Sequence, residues 1–361
     1  MKQVHIKLTE EQHKKLRLHC AEHNVSIQDY VNECIENNYV DKDSKPSNFK
    51  FIDLFAGIGG IRIPFDELGG TCVFSSEIDK FARLTYQSYF GHLPSGDIET
   101  IAPCDIPSFD LLLAGFPCQP FSQAGLKKGF NDTRGTLFFQ IEKILRCKMP
   151  KAFLLENVKG LKGHDKGRTF QVIMDTLESI GYSVKAKVLA AKDFNLPQLR
   201  ERIYIVGFLN AESAKKFEFP LPIEKQMNVG NILETEVEAK YTISDKLWSG
   251  HQRRKNMHKE KGNGFGYSIF DENSDYVSTI SARYYKDGSE ILIAQKNNNP
   301  RKITPLEAAR IQGFPDQIVH EARKNGVSDA QFYKQFGNAV AVNVVRNIAQ
   351  SMKPFLISTL K

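Results

Sequence analysis

Cys118 stands in Phe116-Pro117-Cys118-Gln119, just past the apolar run from Phe109 to Gly115, where a thiol is placed to act as a nucleophile. The run reads as a buried strand. An open parallel sheet releases its chains at the carboxyl ends, where α/β enzymes hold ligands and reacting groups. A second run, 151–155, ends at Glu156-Asn157-Val158. If the two strands are parallel, carboxylate and thiol emerge at the same edge and can meet. Gln198-Leu199-Arg200-Glu201-Arg202 precedes a further strand and adds two guanidinium groups. Taken alone, Cys118 also reads as a small buried hydrophobe, the usual fate of a cysteine.

Phe51-Ile52-Asp53-Leu54-Phe55-Ala56-Gly57-Ile58-Gly59-Gly60 is a strand running into a glycine-rich turn, and Glu77 ends the next predicted strand. Glycines let the backbone approach a ligand, and an acid at the tip of the second strand can hold both ribose hydroxyls. Nicotinamide and S-adenosylmethionine enzymes share this layout, and a glycine turn can also be purely structural. The turn lacks the third glycine of the dinucleotide fingerprint, so a cofactor without a pyrophosphate fits better. Asp97, after Gly96, is placed to accept from an adenine amino group, with the capping of a turn as the competing reading.

These residues need elements to position them. The chain has 361 residues, 41% hydrophobic and 25% charged, enough for one large domain with smaller ones. Its six cysteines are scattered without a CxxC pair or a histidine cluster, which argues against a disulfide framework and against a metal site. No stretch has the length and apolarity of a signal core or a membrane span, so the expectation is neither export nor a membrane. The net charge of +7 is compatible with a polyanionic partner.

Residues 1–45 read as a separate module. Val4, Ile6 and Leu8 alternate as in a short strand. Thr9 with Gln12 forms a capping box for a helix through about Glu22, and Ser26 with Asp29 forms another. Strand, helix, helix resembles the ribbon-helix-helix of small DNA-binding repressors, which pairs two chains and turns alternate strand residues, here Gln3, His5 and Lys7, to DNA. That reading makes the protein a homodimer able to bind its own promoter. A helical hairpin, leaving a monomer, stands equally beside it.

From Phe49 onward, strands at 49–55, 71–76, 109–114, 151–155, 182–190 and 202–208 alternate with helices near 61–68, 79–90, 136–147 and 168–180. This alternation predicts an α/β fold with a doubly wound, mostly parallel sheet. The divisions expected are 46–209, a second irregular domain over 210–300, and 301–361 returning to the first. Thr304 starts a helix, and a last helix from about Val340 follows a loop at Gln335-Phe336-Gly337-Asn338.

The ordered blocks FAGIGG (55–60), GFPCQPFS (115–122), ENV (156–158), QLRER (198–202) and QFGNAV (335–340) resemble the DNA (cytosine-5)-methyltransferases, over nearly all of 50–350. The resemblance implies a Rossmann-like fold that binds S-adenosyl-L-methionine and double-stranded DNA, with no metal. It makes Cys118 the nucleophile at carbon 6 of a flipped cytosine, Glu156 the group at ring N3 and Arg202 a donor to O2, with Arg200 assisting. The cofactor pocket would be formed by Asp53, Phe55, Ala56, Gly57, Gly59, Gly60, Glu77, Ile78, Asp97, Ile98, Pro117, Leu137, Asn338 and Ala339. Gln119, Ser122, Lys127 and Lys128, in a glycine- and lysine-bearing segment like the family's mobile loop, would meet DNA.

By the same resemblance, sequence reading falls to 210–300. There Arg253 and Arg254 favour phosphate contact, with a solvated charged face as the alternative. Thr279-Ile280 occupies the place of the family's recognition dipeptide, and Arg283 can read guanine through paired donors. The segment from Ala282 to Ile293 is similar to the Dcm-type branch, which methylates CCWGG or related CCNGG sites. The implied setting is a bacterial cytoplasm, at the nucleoid, as the protective enzyme of a restriction–modification pair with a cognate endonuclease. A tRNA methyltransferase on the same fold is the alternative, against which the basic, glycine-rich segment after Arg253 speaks.

Overall fold

The structure is a computed structural model that describes residues 9–22, 25–28, 30–31, 48–117, 137–262, 264 and 266–357. The chain divides into two compact units, 1–46 and 47–361.

In the first unit, α1 spans Glu10–Glu22. It begins as its sequence requires: Thr9 N–H donates to Gln12 Oε1 at 3.0 Å, and Gln12 N–H to Thr9 Oγ1 at 3.2 Å. The His19 ring packs 4.7 Å from that of Tyr30, in a second helical turn. The expected strand over 4–8 and the continuation of the second helix lie outside the described residues, as does Asp29 of the second capping box.

In the second unit, a six-stranded sheet is built from β1 (Phe49–Leu54), β2 (Gly70–Ser76), β3 (Leu111–Gly115), β4 (Ala152–Val158), β5 (Ser183–Ala190) and β6 (Glu201–Phe208). Its order is β2-β1-β3-β4-β6-β5. Every neighbouring pair is parallel except those made by β6, which runs against both β4 and β5. The central strands are apolar throughout because both faces are covered. Phe51, Leu111, Leu113 and Leu154 face one core, shared with α11 (Val342–Leu356). Ile52, Leu112, Ala114 and Leu155 face another, shared with α4 (Leu137–Lys148) and α5 (Arg168–Ser179). The doubly wound, mostly parallel expectation therefore holds. The short helix α2 (Arg62–Glu67) follows the glycine turn, and α3 (Lys80–Phe90) follows β2, N-capped by Asp79.

Beyond β6 the chain forms α6 (Ala211–Lys216), α7 (Asp245–Glu260) and two-residue strands β7 (Ile269–Phe270), β8 (Leu292–Ile293) and β9 (Arg301–Lys302). It continues through α8 (Pro305–Gln312), α9 (Gln317–Lys324) and α10 (Asp329–Asn338). A third core joins Ile280, Tyr284, Ile291 and Ile303 of this stretch to Phe332 and Phe336 and reaches Ile58 beside the glycine turn. Among the described residues, no helix is long and apolar enough to cross a membrane.

Two expectations need correction. Arg253 and Arg254 lie within the 16-residue helix α7, which the weak periodicity of a polar, glycine-bearing stretch concealed. Residues 335–338 are the end of α10 and not a loop. Gly337 serves close approach there: a Cβ would fall 2.3 Å from Ala282 N and from the Ser281 carbonyl carbon. A glycine that admits another backbone looks, in sequence, like a glycine that breaks a helix.

Candidate active site

Parallel pairing of β3 with β4 places Gly115 opposite Glu156 in the ladder. A Cβ on Gly115 would stand 3.6 Å from Glu156 Oε2, so the two strand ends are in immediate contact. The next side chain, Asn157, is buried and donates from Nδ2 to the Phe116 carbonyl at 2.8 Å. This bond fixes the chain where it leaves β3, one residue before Pro117. Cys118 itself, with Gln119, Ser122, Lys127 and Lys128, lies outside the described residues.

Glu156 is 8% exposed, and its Oε1 lies 3.1 Å from Arg202 Nε. Burial pushes the Glu156 carboxyl above its usual range, against the lowering pull of Arg202 and Arg200. Arg202 stands opposite Val158 at the start of β6. Arg200 is 2% exposed. Its guanidinium donates to the carbonyls of Ile280 (3.3 Å), Gly337 (3.0 Å) and Ala339 (2.5 Å). Burial, and then the charge of Arg202, pushes Arg200 down to about 9. Arg200 thus fastens three backbone segments through its Nη groups and also lines the cavity that Glu156 and Arg202 border.

A cavity of about 410 Å³ opens at this edge, and Glu156, Arg200 and Arg202 form part of its wall. The glycine turn also borders the cavity, and in it Phe55 (φ +52°), Gly57 (φ +55°) and Gly59 (φ +80°) are left-handed. That conformation is rare for a bulky residue such as Phe55 and concentrates at functional sites. A Cβ on Gly57 would meet nothing within 4 Å, so open space faces the turn there. Gly57 N–H donates to Glu77 Oε2, and Asp79 N–H to Glu77 Oε1, each at 2.8 Å. The carboxylate is held in place at the cavity with acceptor capacity remaining on both oxygens.

Of the expected pocket residues, Phe55, Ala56, Gly57, Gly60, Glu77, Ile78, Pro117, Leu137, Asn338 and Ala339 line the cavity. Four do not. Asp53 is 1% exposed and accepts from Tyr86 Oη at 3.5 Å; burial raises its carboxyl well above the usual range. Gly59 faces Phe90, whose ring would be 2.2 Å from a Cβ. Asp97 accepts from Glu99 N–H at 2.9 Å, the turn-capping alternative, and Ile98 is buried in the sheet core.

The cavity joins a glycine turn and a strand-tip acid to a buried acid–guanidinium pair beside the exit toward Cys118. The family model for C-5 cytosine-specific DNA methylases matches residues 49–354. The chain belongs to the C-5 cytosine-specific DNA methylase family. Among these methylases it is 61% identical over 311 residues to the Type II methyltransferase M.NlaX of Neisseria lactamica, covering 85% of this chain and 97% of that one. To M.DsaV of Dactylococcopsis salina it is 59% identical over 308 residues, covering 85% and 86%. The fold is also that of S. pombe Dnmt2 methyltransferase, at TM-score 0.69 and 21% identity over 85% of this chain and 99% of that one.

Four of the residues expected to touch DNA in this methylase, Arg253, Arg254, Thr279 and Arg283, lie among the described residues. Arg253 is exposed on α7, whereas Arg254 Nη1 bonds Asp287 at 3.0 Å. The Thr279 hydroxyl donates to the Leu199 carbonyl, which fastens 277–280 to the QLRER segment. Arg283 is exposed. Sequence reading missed Asp79, Lys334 and Gln335 on the cavity wall. Lys334 Nζ pairs with Asp79 Oδ2 at 2.5 Å, and Gln335 Oε1 accepts from Thr85 at 3.0 Å. Asp79 lies two residues after Glu77 and Gln335 opens the QFGNAV block, so proximity to quoted motifs was the available signal.

Proposed function

We propose that this methylase moves the methyl group of S-adenosylmethionine to carbon 5 of a cytosine turned out of duplex DNA, with Cys118 adding to carbon 6. The observation carrying this reading is the Glu156–Arg202 pair, on the wall of the cavity that also borders the glycine turn and Glu77.

Carbon 5 of cytosine is a weak nucleophile, and a thiolate added at carbon 6 turns the ring into an enamine. Ring N3 is an acceptor, so the group facing it must bring a proton as negative charge builds there. A carboxyl pushed up by burial suits that task. Arg202 donates to O2 through its guanidinium. Loss of the carbon-5 proton and expulsion of Cys118 restore the aromatic ring. A free thiol with pKa of about 8.5 is only partly ionised at neutral pH, so cations near Cys118 favour its thiolate.

The cavity fits the cofactor: the turn offers open space at Gly57, and Glu77 retains acceptor capacity for ribose hydroxyls. Phe55, Glu77, Ile78, Leu137 and Asn338 would hold S-adenosylmethionine, which supplies an electrophilic methyl group when bound. The target base must leave its stack at a cost of about a few kcal/mol.

Arg253 on α7 contacts phosphate, and Arg283 with Thr279 belongs to the reading of a CCWGG- or CCNGG-like site. The enzyme protects the DNA of a bacterial cytoplasm against a cognate endonuclease, and residues 1–45 bind its promoter as a dimer. Labelled S-adenosylmethionine offered with duplex DNA or with tRNA tests the substrate class; label in tRNA alone would overturn it. Cys118→Ser should bind DNA and transfer nothing, and bisulfite sequencing reads the target site.

A further inference from the structure

Cys104 lies in the 3-10 turn Pro103–Asp105, and Cys147 is the next-to-last residue of α4. Their Sγ atoms are 3.6 Å apart, and both residues are exposed. The two elements are already tied here, because Lys148 Nζ donates to the Cys104 carbonyl at 3.1 Å. Cys72 differs: it is half-buried, and burial pushes its thiol up to about 12. A third ligand is missing, since among the described residues no group of three His, Cys, Asp or Glu gathers as a metal site would require.

We infer that Cys104 and Cys147 form a modification site for low-molecular-weight disulfides and close into an intramolecular disulfide. The S–S bond is about 2.05 Å long. Rotation of exposed side chains can close the remaining gap, because neither sulfur is held in a packed core. One cysteine, as thiolate, attacks the small disulfide and expels one small thiolate, leaving a mixed disulfide. The second cysteine, having lost its proton, attacks the protein sulfur of that bond and expels the other small thiolate. Overall, two protein thiols are oxidised and one small disulfide is reduced to two thiols.

The ring so closed contains residues 105–146, including β3, Phe116-Pro117-Cys118-Gln119 and nearly all of α4. Both flanks of the nucleophile's segment become tied to each other. The unfolded chain loses freedom, and the folded protein gains resistance to urea.

Full-length protein is incubated with oxidised glutathione, quenched with acid, digested and mapped by mass. The expected product is a Cys104–Cys147 linked peptide pair that dithiothreitol releases, together with a higher urea midpoint. In Cys104→Ser and Cys147→Ser, the remaining cysteine carries glutathione and the midpoint does not respond to the oxidant. Glutathione retained on either cysteine of the unsubstituted protein, or no modification at either, would overturn the proposal. Peptide mapping keeps this readout separate from any reaction at Cys118.

Discussion

Arg202 Nε lies 3.1 Å from Glu156 Oε1, and the two stand on one cavity wall although their strands run in opposite directions. The reversal is what makes the pair possible. β4 delivers Glu156 near its carboxyl end, and an antiparallel neighbour begins where β4 finishes, so Arg202, the second residue of β6, stands opposite Val158. A parallel β6 would place its first residues at the far edge of the sheet.

Replacing the acid tests its part in chemistry. Glu156→Gln keeps the volume but loses the exchangeable carboxyl proton and the ion pair. Methyl transfer in single-turnover reactions should fall by about 10²- to 10⁴-fold with DNA binding retained. A rate within tenfold of the unsubstituted enzyme would exclude Glu156 from proton handling.

The same variant carries a pH signature. Because burial raises the Glu156 carboxyl, the folded protein holds this proton more tightly than the unfolded chain does. The stabilisation is complete below the usual carboxylate range and is lost as pH rises through the raised value. Glu156→Gln is neutral at every pH, so its urea midpoint should gain on that of the unsubstituted protein as pH rises from the usual carboxylate range through the raised value. A constant difference would show that Glu156 ionises as it does in the unfolded chain.

Arg200 should behave as a fastener. Its guanidinium bonds the carbonyls of Ile280, Gly337 and Ala339. Lysine cannot span all three, so Arg200→Lys should destabilise the protein by about 2–4 kcal/mol, read from urea unfolding. Unchanged stability with a collapsed rate would return Arg200 to the chemistry.

Gly337→Ala probes the contact between α10 and the backbone at Ser281 and Ala282. Rigid backbone stands where the methyl group would go. Overpacking of this kind costs about 1–3 kcal/mol. Because Gly337 also lines the cavity, KM for the methyl donor should rise as well. A variant indistinguishable in both measurements would mean that α10 can shift freely.

Asn157→Ala removes the bond that holds the Phe116 carbonyl. The chain should then leave β3 without fixed direction, and the transfer rate should drop by about tenfold or more with DNA affinity kept. A normal rate would show that Pro117 alone sets the exit.

The sequence by itself determined the sheet and the chemistry carried on it. Apolar runs of strand length ending at Cys118 and Glu156, helices between them and a glycine turn followed by Glu77 are local signals, because propensity and burial on both faces act over a few residues. The capping box at Thr9 and the helix start at Thr304 were legible for the same reason, and both are formed. Tertiary structure alone decided which of several plausible groups face the cavity. Asp53 and Asp97 have the right type and address, but one is buried against Tyr86 and the other caps a turn. Arg200 and Arg202 are two residues apart, yet one clamps backbone and the other meets Glu156. Gly337 ends a helix instead of opening a loop, because the backbone it accommodates is more than fifty residues away in sequence. Such outcomes depend on long-range packing, which no pattern of neighbouring residues encodes.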